Sequence, residues 1–579
     1  MKLLTNFLKK NKSISIFTII ILLIQVFGTL YVPYLVARLI DEGIASKNLN
    51  QVFIIGIEML GFAVLTGIAG TISSYLTAEL VARFSSDTTE RVFKKVQDIS
   101  ISDVNKFGVA SLLTRTTSDV ENVSISGVLF IQMIIPAPMI SIVSIIMTYT
   151  VSKRLIWIPL LVIFLFIIVV IEIMHHGNKY SRIIQKKMDH IMRSIREFYT
   201  GIRVIRAFDN EKIEKNKTDH TFRDYADNMI SLNKCFSLMT PAVEILMGAA
   251  LTAILWFGVM EVGEGNIQVG SVTAIVEYVV LTLMYLMTAA MVLIALPNAI
   301  ASIHRISEVL DYSPEIKERK NLSKVARTTT GDELVSFNNV TFTYPDAEAP
   351  VLNNISFKVK RGETIAIVGS TGSGKSTIAK LLLRFNDVSA GSIKINGQDV
   401  REVSQNQLRD AISFVPQKAF LFNGNIKENL IYGNERAINQ EIERATKVAQ
   451  VYDFIQSLPD KFDSFVAQGG FNFSGGQRQR LSIARALVKK ADVYVFDDSF
   501  SALDYKTDSL IRSALKKEMK NVAMIIVAQR LSTVMEADQI VILHEGRVVG
   551  LGKHQELLES NEIYRSFAIS QQLIKEERN

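Results

Sequence analysis

Six apolar runs occupy the first 300 residues, at 14–40, 52–82, 128–151, 155–174, 236–260 and 270–300, and they constrain the fold more than any other feature. About 20 apolar residues suffice for a helix to cross a bilayer, and a spanning backbone must satisfy its own hydrogen bonds. The first run has no charge between Ile14 and Arg38. Lys2, Lys9, Lys10 and Lys12 precede it like the flank of a signal peptide, but the stretch is too long and further runs follow. The pattern predicts a six-helix, all-α transmembrane domain over 1–310.

Lys and Arg in the connections set its orientation, because positive loops stay on the cytoplasmic side. The connection 83–127 carries six and 175–234 carries thirteen, whereas 261–269 carries none. Both termini and both long loops are therefore expected in the cytoplasm. The loops keep helical apolar spacing, so the spanning helices should continue below the membrane. This accounts for much of the +7 net charge and removes it as a sign of a nucleic-acid partner. The lone Cys235 excludes an intrachain disulfide, and no Cys/His cluster has zinc spacing.

The texture changes after 311–332, a charged stretch without a long apolar run that reads as a linker. Short β-branched runs at 364–368, 411–415, 493–496 and 523–527 then alternate with helical patterns. That alternation predicts a parallel sheet in an α/β domain over 333–579.

Gly369, Ser370, Thr371, Gly372, Ser373, Gly374, Lys375 and Ser376 follow the run 364–368 and precede a helical pattern opening at Thr377. This is a P-loop in the strand-loop-helix context it requires. Its backbone amides can close on phosphates, Lys375 can reach the β and γ groups, and Ser376 can ligate Mg²⁺. ATP and Mg²⁺ are the expected ligands. The run 493–496 ends in Asp497, where a carboxylate can reach the Mg²⁺ sphere.

Between these motifs lie Phe473, Ser474, Gly475, Gly476 and Gln477, followed by an Arg/Gln-rich stretch to Arg485. The combination resembles the ATP-binding cassette (ABC) family. With the six runs, the whole chain looks like a half-size type I ABC exporter of the multidrug and lipid group. The fold implied is the all-α six-helix domain followed by an α/β P-loop ABC nucleotide-binding domain. By resemblance, Tyr344 stacks on adenine, Gln417 is the Q-loop glutamine and an Mg²⁺ ligand beside Ser376 and Asp497, and 501–504 is the D-loop. The resemblance also implies a dimer, with the signature Ser474–Gln477 completing the partner's ATP site, and coupling helices at about 103–108 and 201–208.

Three positions depart from the family pattern. Asp498 stands where a glutamate general base is usual, Gln529 replaces the switch histidine, and Gln468 replaces a glutamate before the signature. Together they favour a heterodimer in which this chain's Walker side is the degenerate site and its partner carries a consensus one. Inside the spans, Glu244 and Glu277 lie among Trp256, Tyr278, Met284, Tyr285, Met287 and Met291, a setting for bulky, amphipathic cargo. Glu58 and Glu79 are further candidates, Glu79 and Glu172 reading as interfacial. Pro33, Pro136, Pro138, Pro159, Pro241 and Pro297 are candidate bends. The expected activity is ATP-driven export of hydrophobic drugs or lipids across a bacterial plasma membrane. The rivals are peptide export and an ATP-gated channel or regulatory ATPase.

Overall fold

A computed structural model describes residues 2–316, 333–345 and 347–574. The chain divides into two compact units. One holds the residues up to Asp98 with Phe107–Ser313, the other Ile99–Lys106 with the described residues from Pro314 onward.

The first unit contains six helices long and apolar enough to cross a membrane: Lys12–Ile44, Leu49–Asp98, Val109–Val151, Trp157–Ala207, Glu211–Gly263 and Val269–Ile294. Leu49–Asp98 has 50 residues and Trp157–Ala207 has 51. At 1.5 Å per residue each is roughly 75 Å long, about 45 Å more than a bilayer core needs. Large apolar side chains such as Phe53, Leu60, Ile68, Phe164 and Ile171 point outward, as a lipid-facing surface requires. The sixth span is the most enclosed, burying Ala274, Ile275, Tyr278 and Leu283 against the first, third and fifth.

Polar contacts hold this helix, which runs on to Asp311, towards both of its ends. Asp41 Oδ1 accepts the Gly270 N–H at 2.7 Å, satisfying a donor that a helix start leaves unpaired. Only glycine fits there, because a Cβ would strike the Ala37 carbonyl and the Asp41 carboxylate. Towards the other end, buried Asp119 accepts hydrogen bonds from Ser302 (2.9 Å) and Arg305 (Nε, 2.8 Å), and Arg115 pairs with Glu308 at 2.9 Å. Burial would raise the Asp119 pKa, but the bonds from Arg305 and Ser302 and the charges of Arg305 and Arg115 win. They hold it below the ordinary carboxylate value.

Pro33 and Pro297 lie inside helices, whereas Pro136 opens one immediately after a π-helical segment, Phe130–Ile134. Pro159 and Pro241 fall in first turns, where the missing N–H costs little. Pro159 thus marks the start of its span, whereas Pro136 and Pro241 stand at junctions inside the long helices Val109–Val151 and Glu211–Gly263. A short helix, Ile101–Phe107, occupies the first expected coupling position. The second expectation is corrected: 201–207 complete the helix Trp157–Ala207, and the chain turns only at Phe208–Asn210, with Asp209 at φ +51°. The helix is 51 residues long because nothing before Phe208 interrupts it. Within the second unit, Asp103 shares a reciprocal cap with Ser100 and accepts the Glu315 N–H at 3.2 Å. Of the expected linker, the helix from Val269 covers Asp311 and 317–332 lie outside the described residues.

The second unit holds twelve strands among its described residues. They are β1 (Glu333–Phe342), β2 (Leu352–Lys360), β3 (Thr364–Gly369), β4 (Ala390–Ile395), β5 (Gln398–Asp399), β6 (Ile412–Val415), β7 (Gly424–Asn425), β8 (Phe465–Val466), β9 (Val493–Asp497), β10 (Ala523–Val527), β11 (Gln539–His544) and β12 (Arg547–Gly552). The main sheet runs β12-β11-β3-β10-β9-β6, with a smaller sheet β2-β1-β4-β5 and a pair β7-β8. From β11 to β6 the main sheet is parallel. Its β9 and β10 are buried at every position, which explains their unbroken apolar sequence. In register, Val527 lies opposite both Ile367 and Asp497. The carboxyl ends of β3, β9 and β10 therefore form one edge, where open α/β sheets bind ligands.

Candidate nucleotide site

The P-loop leaves β3 at Gly369 and enters the helix Lys375–Leu382 through Gly372 at φ +85° and Gly374 at φ +97°. Both angles lie in the left-handed region that side chains avoid. A Cβ on Gly374 would meet the Leu352 side chain, and one on Gly369 the Leu543 carbonyl. Lys375 Nζ donates to the carbonyls of Gly369 (2.8 Å) and Ser370 (2.7 Å). Burial pushes its pKa down against the opposing pull of Asp498 and Asp497. The Ser373 hydroxyl is buried and has no hydrogen-bond partner. A glycine turn opening a helix, a buried ammonium and an unsatisfied hydroxyl fit an oxyanionic ligand.

Ser376, in the first turn of that helix, donates its hydroxyl to Asp497 Oδ1 at 2.8 Å. Burial raises the Asp497 pKa, and the neighbouring Asp498 adds to the rise against the Ser376 bond. A buried carboxylate touching a hydroxyl, with a second carboxylate beside it, is an oxygen-donor set suited to Mg²⁺. Among the described residues no group of three His, Cys, Asp or Glu could hold a metal, so waters and phosphate oxygens would complete the Mg²⁺ sphere.

Asp498 stands at φ +47° beyond the end of β9. Its N–H donates to the Val527 carbonyl at 2.9 Å and its carbonyl accepts the Ser501 hydroxyl at 2.8 Å. Its Oδ2 accepts from Gln417 Nε2 at 3.1 Å, so Gln417 sits at the same edge of the sheet. The last strand-like bond of β10 joins the Ala528 N–H to the Ile367 carbonyl, and Gln529 follows, exposed. A cavity of about 170 Å³ separates Gln529 and Leu531 from Val368, Gly369, Ser370 and Thr371. Tyr344 OH lies 3.4 Å from Thr377 Oγ1, which brings that ring to the first turn of the P-loop helix.

The structure thus gathers Tyr344, 369–377, Gln417, Asp497, Asp498 and Gln529 around one sheet edge. Ser474, Gly475, Gly476 and Gln477 stand apart. Ser474 caps the helix Gly475–Val488 through a reciprocal pair with Gln477: its Oγ accepts the Gln477 N–H at 3.3 Å, and Gln477 Oε1 accepts the Ser474 N–H at 2.8 Å. Ser474 and Gly475 are exposed, and among the described residues no hydrogen bond joins 474–477 to the P-loop. Gln468 is exposed in the turn Gln468–Gly470, also away from the phosphate loop. Phe567 and Gln571 line the cavity, and nothing in their sequence context marked them.

The acidic residues of the spans do not converge. Glu58 pairs with Arg38 at 3.4 Å, and Glu79 pairs with Arg83 at 2.7 Å. Glu244 is exposed and Glu277 half-buried, and neither has a hydrogen-bond or ion-pair partner among the described residues. Gly258 of the fifth span packs on Val272 of the sixth. In that antiparallel register the two carboxylates are offset by about nine residues, roughly 13 Å along the axis.

Residues 15–287 match the family model for the ABC transporter transmembrane region, and 352–501 match that described as ABC transporter. An uncharacterized ABC transporter ATP-binding protein of Mycobacterium tuberculosis is 36% identical, over 95% of this chain and 94% of its own. An ATP-dependent lipid A-core flippase of Chromobacterium violaceum is 30% identical over 92% and 90%. A solved bacterial Atm1-family ABC exporter with ATP bound superposes with a TM-score of 0.83 at 24% identity, over 98% and 99%. The chain belongs to the ABC transporter family, as a half-size exporter with one transmembrane and one nucleotide-binding domain. It is a multi-pass protein of the bacterial plasma membrane type.

Proposed function

We propose that this chain is one half of a two-chain, ATP-driven exporter of hydrophobic or amphipathic compounds, drugs or lipids, and that its own Walker side hydrolyses ATP slowly. The observation that carries the reading is the separation inside the chain. The signature helix start is exposed and bonds only to itself, while the phosphate loop gathers the Walker residues without it. A second chain's ATP would lie against Ser474–Gln477.

At this chain's site, the P-loop amides and Lys375 would take the β and γ phosphates, with Tyr344 against the adenine. Ser376, Gln417 and Asp497 would hold Mg²⁺, which neutralises phosphate charge. Asp498 is the carboxylate left to orient water, and it is one methylene shorter than glutamate and already engaged by Gln417. Gln529 can donate a hydrogen bond to a phosphate oxygen but cannot be protonated. Both differences slow hydrolysis here and favour a different partner with a consensus site. The Lys/Arg-rich long connections favour cytoplasmic termini, and the relatives named as lipid flippases favour lipid-like cargo.

The test is transport by the full-length chain with its co-purified partner in proteoliposomes. ATP-dependent accumulation of a hydrophobic dye or labelled lipid against its gradient is the expected result. ATP-dependent flux that only dissipates a gradient would replace the export reading with a channel.

A further inference from the structure

The loop carrying Gln529 leaves the sheet at Ala528, so strand pairing no longer determines its course. The next backbone groups are held by one side chain. Gln571 Nε2 donates to the Gln529 carbonyl at 2.9 Å, and Gln571 Oε1 accepts the Leu531 N–H at 2.8 Å. The amide thus pairs with the two flanks of Arg530 as a neighbouring strand would. Gln571 caps the helix Glu562–Ser570, which is firmly anchored. Asn561 Nδ2 donates to the Val549 carbonyl of β12 at 2.9 Å, and Tyr564 is fully buried with its hydroxyl 2.7 Å from His554 Nδ1. Phe567 and Gln571 line the same cavity as Gly369, Ser370, Gln529 and Leu531.

We propose that Gln571 is a positioning residue: through its paired hydrogen bonds it sets where Gln529 meets the phosphate end of the nucleotide. Its two hydrogen bonds go to the backbone of the Gln529 loop. The inference rests on the nucleotide site proposed above. Losing two neutral hydrogen bonds frees the loop by about one order of magnitude in its opening equilibrium.

The test uses the full-length chain in its native assembly in lipid nanodiscs, after MgATP binding to the wild type has been measured. Failure of that binding would sink the nucleotide site itself, before any variant is made. In Gln571→Ala, hydrogen exchange at 529–533 should rise about tenfold while β10 keeps its protection. With the partner's own hydrolytic site inactivated, ATP turnover at this chain's site should fall about tenfold with KM within twofold. Gln571→Glu keeps the acceptor for Leu531 but loses the donor to Gln529, so it should retain Leu531 protection yet still lose turnover. In a Gln529→Ala background, Gln571→Ala should add less than a twofold further loss. Unchanged exchange, unchanged turnover, or full additivity with Gln529→Ala would each overturn the proposal.

Discussion

Asp498→Glu tests the slow Walker side most sharply. One added methylene extends the carboxylate by roughly 1.3 Å, about one C–C bond projected along the chain. Misplacement of a catalytic group by about 1 Å can cost about a hundredfold, or roughly 2.7 kcal/mol of barrier. If the shorter side chain limits this site, the substitution should raise single-turnover MgATP hydrolysis by about 10- to 100-fold. It should also lower stability by about 1 kcal/mol, because Asp498 stands at φ +47°, where aspartate is tolerated better than glutamate. The assay is single-turnover hydrolysis by the assembled pair with the partner's own hydrolytic site inactivated, with MgATP affinity and thermal midpoint measured in parallel. A rate within threefold of the parent, with affinity retained, would refute the argument from reach.

Asp119→Asn should lower stability by about 2 kcal/mol at pH 7, since it leaves Arg305 with a neutral partner. Because the native Asp119 pKa is lowered, that contribution is present above about pH 4 and is lost as pH falls through the native value. Thermal midpoints of parent and variant should therefore converge in acid, and a gap independent of pH would contradict the ion-pair account. Asp41→Ala removes the cap on Gly270 and should cost about 1 kcal/mol without changing MgATP affinity, as thermal melts and nucleotide titration would show. The offset of Glu244 and Glu277 predicts that they do not act as one site. Single and double Glu→Gln variants should show additive effects on efflux of a cationic dye, and strong non-additivity would contradict the register.

What could be read in advance follows from how local each signal is. A bilayer-length apolar run needs no tertiary context, nor does a P-loop whose eight residues are contiguous. Asp498 and Gln529 were legible as departures because they sit beside local motifs, but the left-handed backbone at Asp498 and its bond to Gln417 were not. Glu58 read as a pathway acid, yet it faces Arg38, 20 positions away on the neighbouring span. The stretch 201–208 read as a separate coupling helix because it lies midway along a loop, yet the helix runs through Gly201 to Ala207. Gln571 was invisible, since a glutamine 42 residues from Gln529 carries no pattern of its own.

The central claim is that this chain is half of an asymmetric exporter. Native mass spectrometry of the tagged chain, purified from its own membrane in mild detergent, tests it most directly. The expected species contains one copy of this 64.7 kDa chain with one copy of a second, similar chain carrying a glutamate at the position of Asp498. Two copies of this chain, with ATPase activity abolished by Asp498→Asn, would contradict it.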